Sequence, residues 1–280
     1  MPGIKRKRSE GGGAIFIIII FIFTLLIGYC KRKINEKENF LSVKNYKIKF
    51  SKDFKKGLVT QDDLGISIVI AVDCSGSMKD WAANAKPDEP EKYKVASQSL
   101  NEVISFLEDF YNKEMKKNNI KLKLAILKFN SDVNVVFDLQ EVNDSIFKSI
   151  KEITSNPYNF YPSGRTAIGA TLEKGTEILM QSGTIFKSLI LITDGQNTEG
   201  VAPEAVLKAI VNNNNNLSTP DFPVLTNTIL VTFVGFDLEE NVFSRLKDFG
   251  ARVVSASNSE ELKDVLKNIF ITDISKFENK

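Results

Sequence analysis

The sequence predicts an α/β fold: a doubly wound, mainly parallel six-stranded sheet with helices on both faces, preceded by one N-terminal transmembrane helix. Three observations lead there. Beyond Leu64 short apolar runs alternate with amphipathic stretches, the pattern of strands crossing over through helices. One segment, Val133 to Leu139, alternates instead and follows the turn-like Asn130-Ser131-Asp132, which reads as a hairpin strand at the sheet edge. Ahead of all this, Ala14 to Tyr29 is an almost unbroken run of Ile, Phe and Leu.

The other strands are expected at Ile66 to Asp73, Lys121 to Phe129, Ser188 to Thr193, Thr228 to Gly235 and Ala251 to Ser255. Between them, Leu100, Val103, Leu107 and Phe110, and later Leu262, Val265, Leu266 and Ile269, recur at helical spacing and are assigned to core packing. The tract Asn212 to Asn216 reads as a solvated loop extension. Residues 31–63, rich in Lys, Asn and Glu around Phe40, Tyr46 and Phe50, read as a linker, a stalk or an edge element before an α/β domain at 64–276.

The N-terminal run has Lys5, Arg6, Lys7 and Arg8 before it and Lys31, Arg32 and Lys33 after it. At 1.5 Å per helical residue it spans roughly 24 Å, and flanking glycines and snorkelling lysines extend its reach towards a hydrocarbon core of ~30 Å. Ile27, Gly28 and Tyr29 supply no small-residue cleavage site, so residues 14–30 are expected to be an uncleaved membrane anchor behind a basic tail at 1–13. Ile27-Gly28-Tyr29-Cys30 also loosely resembles the sequence before a lipid-modified cysteine, although Tyr29 is bulky for a position that normally holds a small residue. Basic residues flank both ends, but long domains cross regardless of charge and a short basic tail usually stays in the cytoplasm. The expected location is a bacterial inner membrane, single-pass, with the main domain periplasmic.

Composition removes several function classes. The chain of 280 residues has 42% hydrophobic and 26% charged residues, enough apolar material for a sizeable core. Its net charge is only +2 and its basic residues are spread along the chain except in the two short N-terminal clusters, so no nucleic-acid footprint is visible. With no histidine, a Ser/His/Asp triad, a Cys/His pair and His-containing zinc sites are impossible. There is also no phosphate loop, dinucleotide fingerprint or nucleophile elbow, and the expectation is that the protein is not an enzyme. Of the two cysteines, Cys30 ends the hydrophobic run and Cys74 lies in a loop; Cys74 reads as a small buried residue, because no histidine or adjacent base activates it.

The informative residues are Asp73, Ser75 and Ser77 in D-C-S-G-S, directly after the strand I-S-I-V-I-A-V. Open α/β sheets bind ligands where loops leave the carboxyl ends of strands. Three short oxygen-bearing side chains at alternating positions can converge on a small hard cation, with Gly76 giving the backbone room to turn. Thr166, in P-S-G-R-T-A-I-G before a helix, and Asp194, in T-D-G-Q-N after L-I-L-I-T, sit where other segments reach the same rim. The competing reading of all five is as helix caps and turns. Arg165 is either a partner for an acidic group such as Asp194 or a solvated loop charge. The segment Lys79 to Lys92, with Trp81, Asp88, Glu89 and Glu91, lengthens the loop behind the site and is either a determinant of partner choice or a plain excursion.

The order D-x-S-x-S, a loop threonine, then the aspartate of T-D-G resembles the metal-ion-dependent adhesion site of von Willebrand factor type A (VWA) and integrin I domains, over roughly Leu64 to Lys276. The resemblance implies a VWA, Rossmann-like fold and a metal site of Asp73, Ser75, Ser77, Thr166 and Asp194. By it, Ser75 and Ser77 coordinate directly, Thr166 does so in a high-affinity state, and Asp73 and Asp194 act largely through waters. Two carboxylates and three hydroxyls suit the near-octahedral oxygen shell of Mg²⁺, with Mn²⁺ or Ca²⁺ as alternatives. The implied partner is a protein whose carboxylate completes that shell. Arg8 to Ile15, R-S-E-G-G-G-A-I, resembles the start of TadE/TadG-type proteins of tight-adherence pilus assembly, which suggests a role in pilus or surface assembly. Two alternatives remain: a non-catalytic subunit of an ATPase or chelatase-like complex, and a structural protein whose cation only ties loops together.

Overall fold

The computed structural model describes residues 46–57, 65–216 and 229–278; the N-terminal anchor expected at 14–30, Cys30 and the pilus-like segment lie outside them. Among the described residues no helix is long and apolar enough to cross a membrane.

Six strands form one sheet in the order β3-β2-β1-β4-β5-β6. They are β1 (Gly65–Asp73), β2 (Lys121–Phe129), β3 (Val133–Glu141), β4 (Phe186–Thr193), β5 (Ile229–Phe236) and β6 (Arg252–Ala256). All neighbours pair in parallel except β2 and β3, which form the expected antiparallel edge hairpin. The hairpin turn closes through Asn130 N–H to the Asp132 carbonyl and Asp132 N–H to the Asn130 side chain. Strand β1 is buried at all nine residues, which is why its sequence runs apolar without alternation.

The helices are α1 (Lys92–Phe110), α2 (Asp144–Ser155), α3 (Ile168–Gln181), α4 (Pro203–Asn216), the short α5 (Ser244–Lys247) and α6 (Ser259–Glu278). Ile66, Ile68, Ile70 and Val72 of β1 pack with Leu100, Leu107, Phe147, Leu262 and Phe270, so α1, α2 and α6 cover one face. Val69 and Ala71 point the other way, towards Leu172, Val206, Ile210 and Leu246 of α3, α4 and α5. The period-two alternation of β1 thus divides the apolar core into two halves.

One expectation needs correction. Asn212 to Asn216 is not a loop: helix α4 continues to Asn216. The helix is nucleated by Pro203 and Glu204 in its first turn and anchored by buried Val206, Leu207 and Ile210, and propagation then carries it through residues of poor intrinsic propensity. The compact unit also takes in the segment from Tyr46. Residues 46–57 are an extended strip along α3. The Tyr46 hydroxyl donates to Glu173 at 2.6 Å, and Gly57 N–H donates to the Met180 carbonyl at 2.9 Å. Tyr46 and Ile48 pack on the second core half, and burial with hydrogen bonding to Glu173 pushes the Tyr46 hydroxyl pKa well up.

Candidate metal centre

In the order 3-2-1-4-5-6 the chain winds one way from β1 and the other way from β4, so the carboxyl ends of these two strands form the switch point at which open α/β sheets bind ligands. Asp73 ends β1, and Asp194 follows the last residue of β4. The pairing of Val72 with Ile192 sets Asp73 level with Thr193, and the Thr193 hydroxyl donates to Asp73 Oδ2 at 2.5 Å. Ser75 N–H donates to Asp73 Oδ1 at 2.7 Å, which folds the D-C-S-G-S loop back over the strand end.

Beyond this loop the hydroxyls converge. Ser75 Oγ and Ser77 Oγ are 3.2 Å apart, and Ser77 Oγ donates to Asp194 Oδ1 at 2.7 Å, joining residues far apart in the chain. A Cβ placed on Gly195 would lie 3.9 Å from Thr166 Oγ1 and 4.0 Å from Ser77 Oγ, so both hydroxyls face that glycine. Thr166 is held by its backbone: its N–H donates to Thr198 Oγ1, and its carbonyl accepts from the Thr198 and Glu199 N–H groups. All five residues expected at the site therefore reach one rim.

They are more buried than a rim position suggests. Asp73 is 0% exposed, Ser75 3%, Thr166 5% and Asp194 7%; Ser77 is the open member. Burial raises the Asp73 pKa to about 6, helped by the charge of Asp194 and opposed by the hydrogen bonds from Thr193 and Ser75. Cys74 is equally enclosed, and burial followed by the Asp73 charge pushes its thiol up to about 12, as an inert core residue requires.

The loop's shape has a different origin from the one expected. Gly76 needs no left-handed conformation, and a Cβ there would meet only the Gly164 carbonyl at an ordinary 3.5 Å. The conformational demand falls on Gly164, with φ of 75° and Ser131 Oγ 2.9 Å from where a Cβ would stand. Its carbonyl accepts from Gly76 N–H, which docks the threonine loop on the serine loop. Gly169 is stricter still: a Cβ would fall 2.0 Å from the Val201 carbonyl, so α3 can lie against the loop after Asp194 only with glycine there.

Arg165 does not reach Asp194. It pairs with Glu199 at 3.5 Å and remains 70% exposed. The cation beside Asp194 is Lys92, the first residue of α1, whose Nζ lies 2.7 Å from Asp194 Oδ2 and 3.6 Å from Asp237 Oδ2. The contact is an ion pair without hydrogen-bond alignment, and Oδ2 is the one buried carboxylate oxygen among the described residues that lacks a hydrogen bond. Asp237, just beyond β5, adopts φ of 57° and accepts from Ala83 N–H at 2.9 Å. Neither residue was expected at the site from the sequence. A lysine opening a helix opposes the helix dipole, and an aspartate directly after a buried strand mirrors Asp73 and Asp194; these were the available signals.

The donor set fits a hard, oxygen-liganded cation. Two carboxylates and three hydroxyls meet at a largely buried rim, and one of the carboxylates resists ionisation through burial. Among the described residues no three Cys, Asp or Glu side chains cluster as a metal site, so any such centre here depends on the hydroxyls.

Comparison with known proteins agrees on the family. The model of the von Willebrand factor type A domain matches residues 67–268. Among solved structures the chain is similar to a von Willebrand factor type A protein from Catenulispora acidiphila, with TM-score 0.54 and 16% identity over 80% of this chain and 51% of that one. It is similar to BatB from Bacteroides thetaiotaomicron, with TM-score 0.52 and 19% identity over 77% of this chain and 100% of that one. It is also similar to the PilB minor pilin from Streptococcus sanguinis, with TM-score 0.56 and 16% identity over 79% of this chain and 63% of that one. The chain thus spans about half of the Catenulispora protein and all of the BatB structure. No curated protein sequence matches it.

Proposed function

The chain belongs to the von Willebrand factor type A domain family, and from that premise we propose that it is a membrane-anchored, non-catalytic binding module whose divalent cation grips an acidic residue of a partner protein. The observation that carries this reading is the 2.7 Å contact between Ser77 and Asp194, with Ser75, Asp73 and Thr166 gathered around it at the sheet's switch point.

Ser75, Ser77 and Thr166 would hold the cation, with Asp73 and Asp194 supplying negative charge beside it. A bound Mg²⁺ supplies a hard positive centre with a replaceable water, and a partner carboxylate is the natural group to take that place. Asp73 orients the serine loop through Ser75 N–H and is itself oriented by Thr193. Gly164 and Gly169 seat the threonine loop and α3 so that Thr166 faces the serines. Exposed Trp81, Tyr158 and Tyr161 are available for contacts with the rest of a partner.

The apolar run at 14–30 supports an anchor in a bacterial inner membrane with the domain on its periplasmic side, and pilus or surface assembly is the setting we favour. Crosslinking in intact membranes, with and without chelator, tests the proposal. A partner captured in Mg²⁺ and lost with chelator is the expected result. Capture indifferent to chelator would leave the cation a structural tie only.

A further inference from the structure

The geometry points to Lys92 as a positioning residue that tunes the cation site: held between Asp194 and Asp237, it weakens the hold on the cation and leaves the loaded site positively biased towards a carboxylate. This inference rests on the proposed function above. It comes from a buried cation standing where a second cation is to bind. The side chains of Lys92, Asp194 and Asp237 are 9%, 0% and 13% exposed, so solvent screens the three charges poorly.

Asp73 and Asp194 together balance a divalent ion. Lys92, 2.7 Å from Asp194 Oδ2, already offsets one of them and directs Oδ1 towards Ser77. Asp237 compensates Lys92 only in part. It is farther away, at 3.6 Å, and its other oxygen is taken by Ala83 N–H. Lys92 is also tied at its backbone, where its N–H donates to the Asp80 carbonyl at 2.9 Å, so the ammonium is delivered to a fixed place. An ordinary surface lysine at a helix start would turn to water; this one is directed inwards against the helix dipole.

The electrostatic role and a purely structural one predict different signs. If Lys92 merely braces the loops, Lys92→Met and Asp237→Asn both disturb the site and both weaken cation binding. If it acts through its charge, the two variants move in opposite directions. Magnesium chloride titrated calorimetrically into metal-stripped, full-length protein in detergent should bind Lys92→Met at least fivefold more tightly than the unmutated chain. Asp237→Asn should bind at least threefold more weakly, and Lys92→Arg should stay within twofold. In chelator Lys92→Met should unfold at a lower temperature, because Asp194 is left unpaired, and should gain more from added Mg²⁺ than the unmutated protein does. Equal or weaker binding by Lys92→Met overturns the inference; if that variant does not fold, Asp237→Asn binding as tightly as the unmutated chain does so alone. No Mg²⁺ binding by the unmutated protein sinks the proposed function itself, a separate outcome.

Discussion

The two ends of the sheet both bury polar groups, and they treat them differently. At the amino-terminal rim the donors end on acceptors. Thr184 donates to Ser67 at 2.8 Å and Ser182 to the Leu179 carbonyl at 2.7 Å, while Lys123 reaches the Ser182 carbonyl at 2.8 Å. Lys187 donates to the Thr184 carbonyl, and burial together with nearby Lys56 lowers its pKa to about 8. Asp273 takes one bond from Ser188 and a 2.7 Å ion pair from Arg252. At the carboxyl-terminal rim Asp73 and Asp194 crowd together with three hydroxyls, and one lysine, Lys92, is held between Asp194 and a third carboxylate, Asp237. Burial of matched polar groups locks a fold; at the carboxyl-terminal rim we propose that a cation completes the set.

This contrast predicts that damage at the amino-terminal rim lowers stability and leaves Mg²⁺ binding unchanged, whereas damage at the carboxyl-terminal rim changes Mg²⁺ binding whatever it does to stability. Arg252→Met leaves Asp273, only 3% exposed, with an unpaired charge, and should cost about 3–5 kcal/mol. Denaturant unfolding in chelator measures it, and Mg²⁺ affinity should be unchanged. Coupled loss of both would erase the distinction between the rims.

A second effect belongs to Asp73. Its carboxyl pKa is raised from 3.8 to about 6, so between those values the native state binds more protons than the unfolded chain. Metal-free stability therefore falls as pH rises through that window, by about 3 kcal/mol in all. Asp73→Asn should abolish this component, and the difference between the two unfolding curves from pH 4 to 7 isolates it.

Ser77→Ala is smaller in energy but more specific. It removes the hydroxyl that joins the serine loop to Asp194, and should weaken Mg²⁺ binding by at least tenfold, about 1.4 kcal/mol, with a smaller change in metal-free stability. Smallest of all is Arg165→Ala, next to Thr166 in sequence. Its pair with Glu199 is solvent-exposed, so stability should move by less than about 0.5 kcal/mol and Mg²⁺ affinity not at all.

What the sequence revealed followed the same division. The strands were legible because β1, β4 and β5 are buried on both faces and read as continuous apolar runs, and the edge hairpin because a turn-like Asn130-Ser131-Asp132 precedes the alternating stretch Val133 to Leu139. The five oxygen-bearing residues were legible because D-C-S-G-S, a loop threonine and T-D-G follow one another in that order at strand ends and ahead of a helix. Lys92 and Asp237 were not, since what brings them to Asp194 is the path of residues 80–91 back across the rim, through Ala83 and Asp80, and no local pattern encodes that path. Whether the strip 46–57 is a stalk or an edge element was left open for a related reason. Its attachment to α3 is made by Tyr46, Lys49 and Ser51 to Glu173 and Glu177, single contacts without periodicity.

The central claim is that the carboxyl-terminal rim is a cation site built by Asp73, Ser75, Ser77, Thr166 and Asp194, and anomalous scattering from crystals grown in Mn²⁺ tests it most directly. The account predicts one strong anomalous peak within direct coordination distance, about 2.0–2.2 Å, of Ser75 Oγ and Ser77 Oγ and beside Asp194. A rim without that peak in the presence of excess Mn²⁺, or a peak that persists there in the Ser75→Ala, Ser77→Ala double variant, would contradict it.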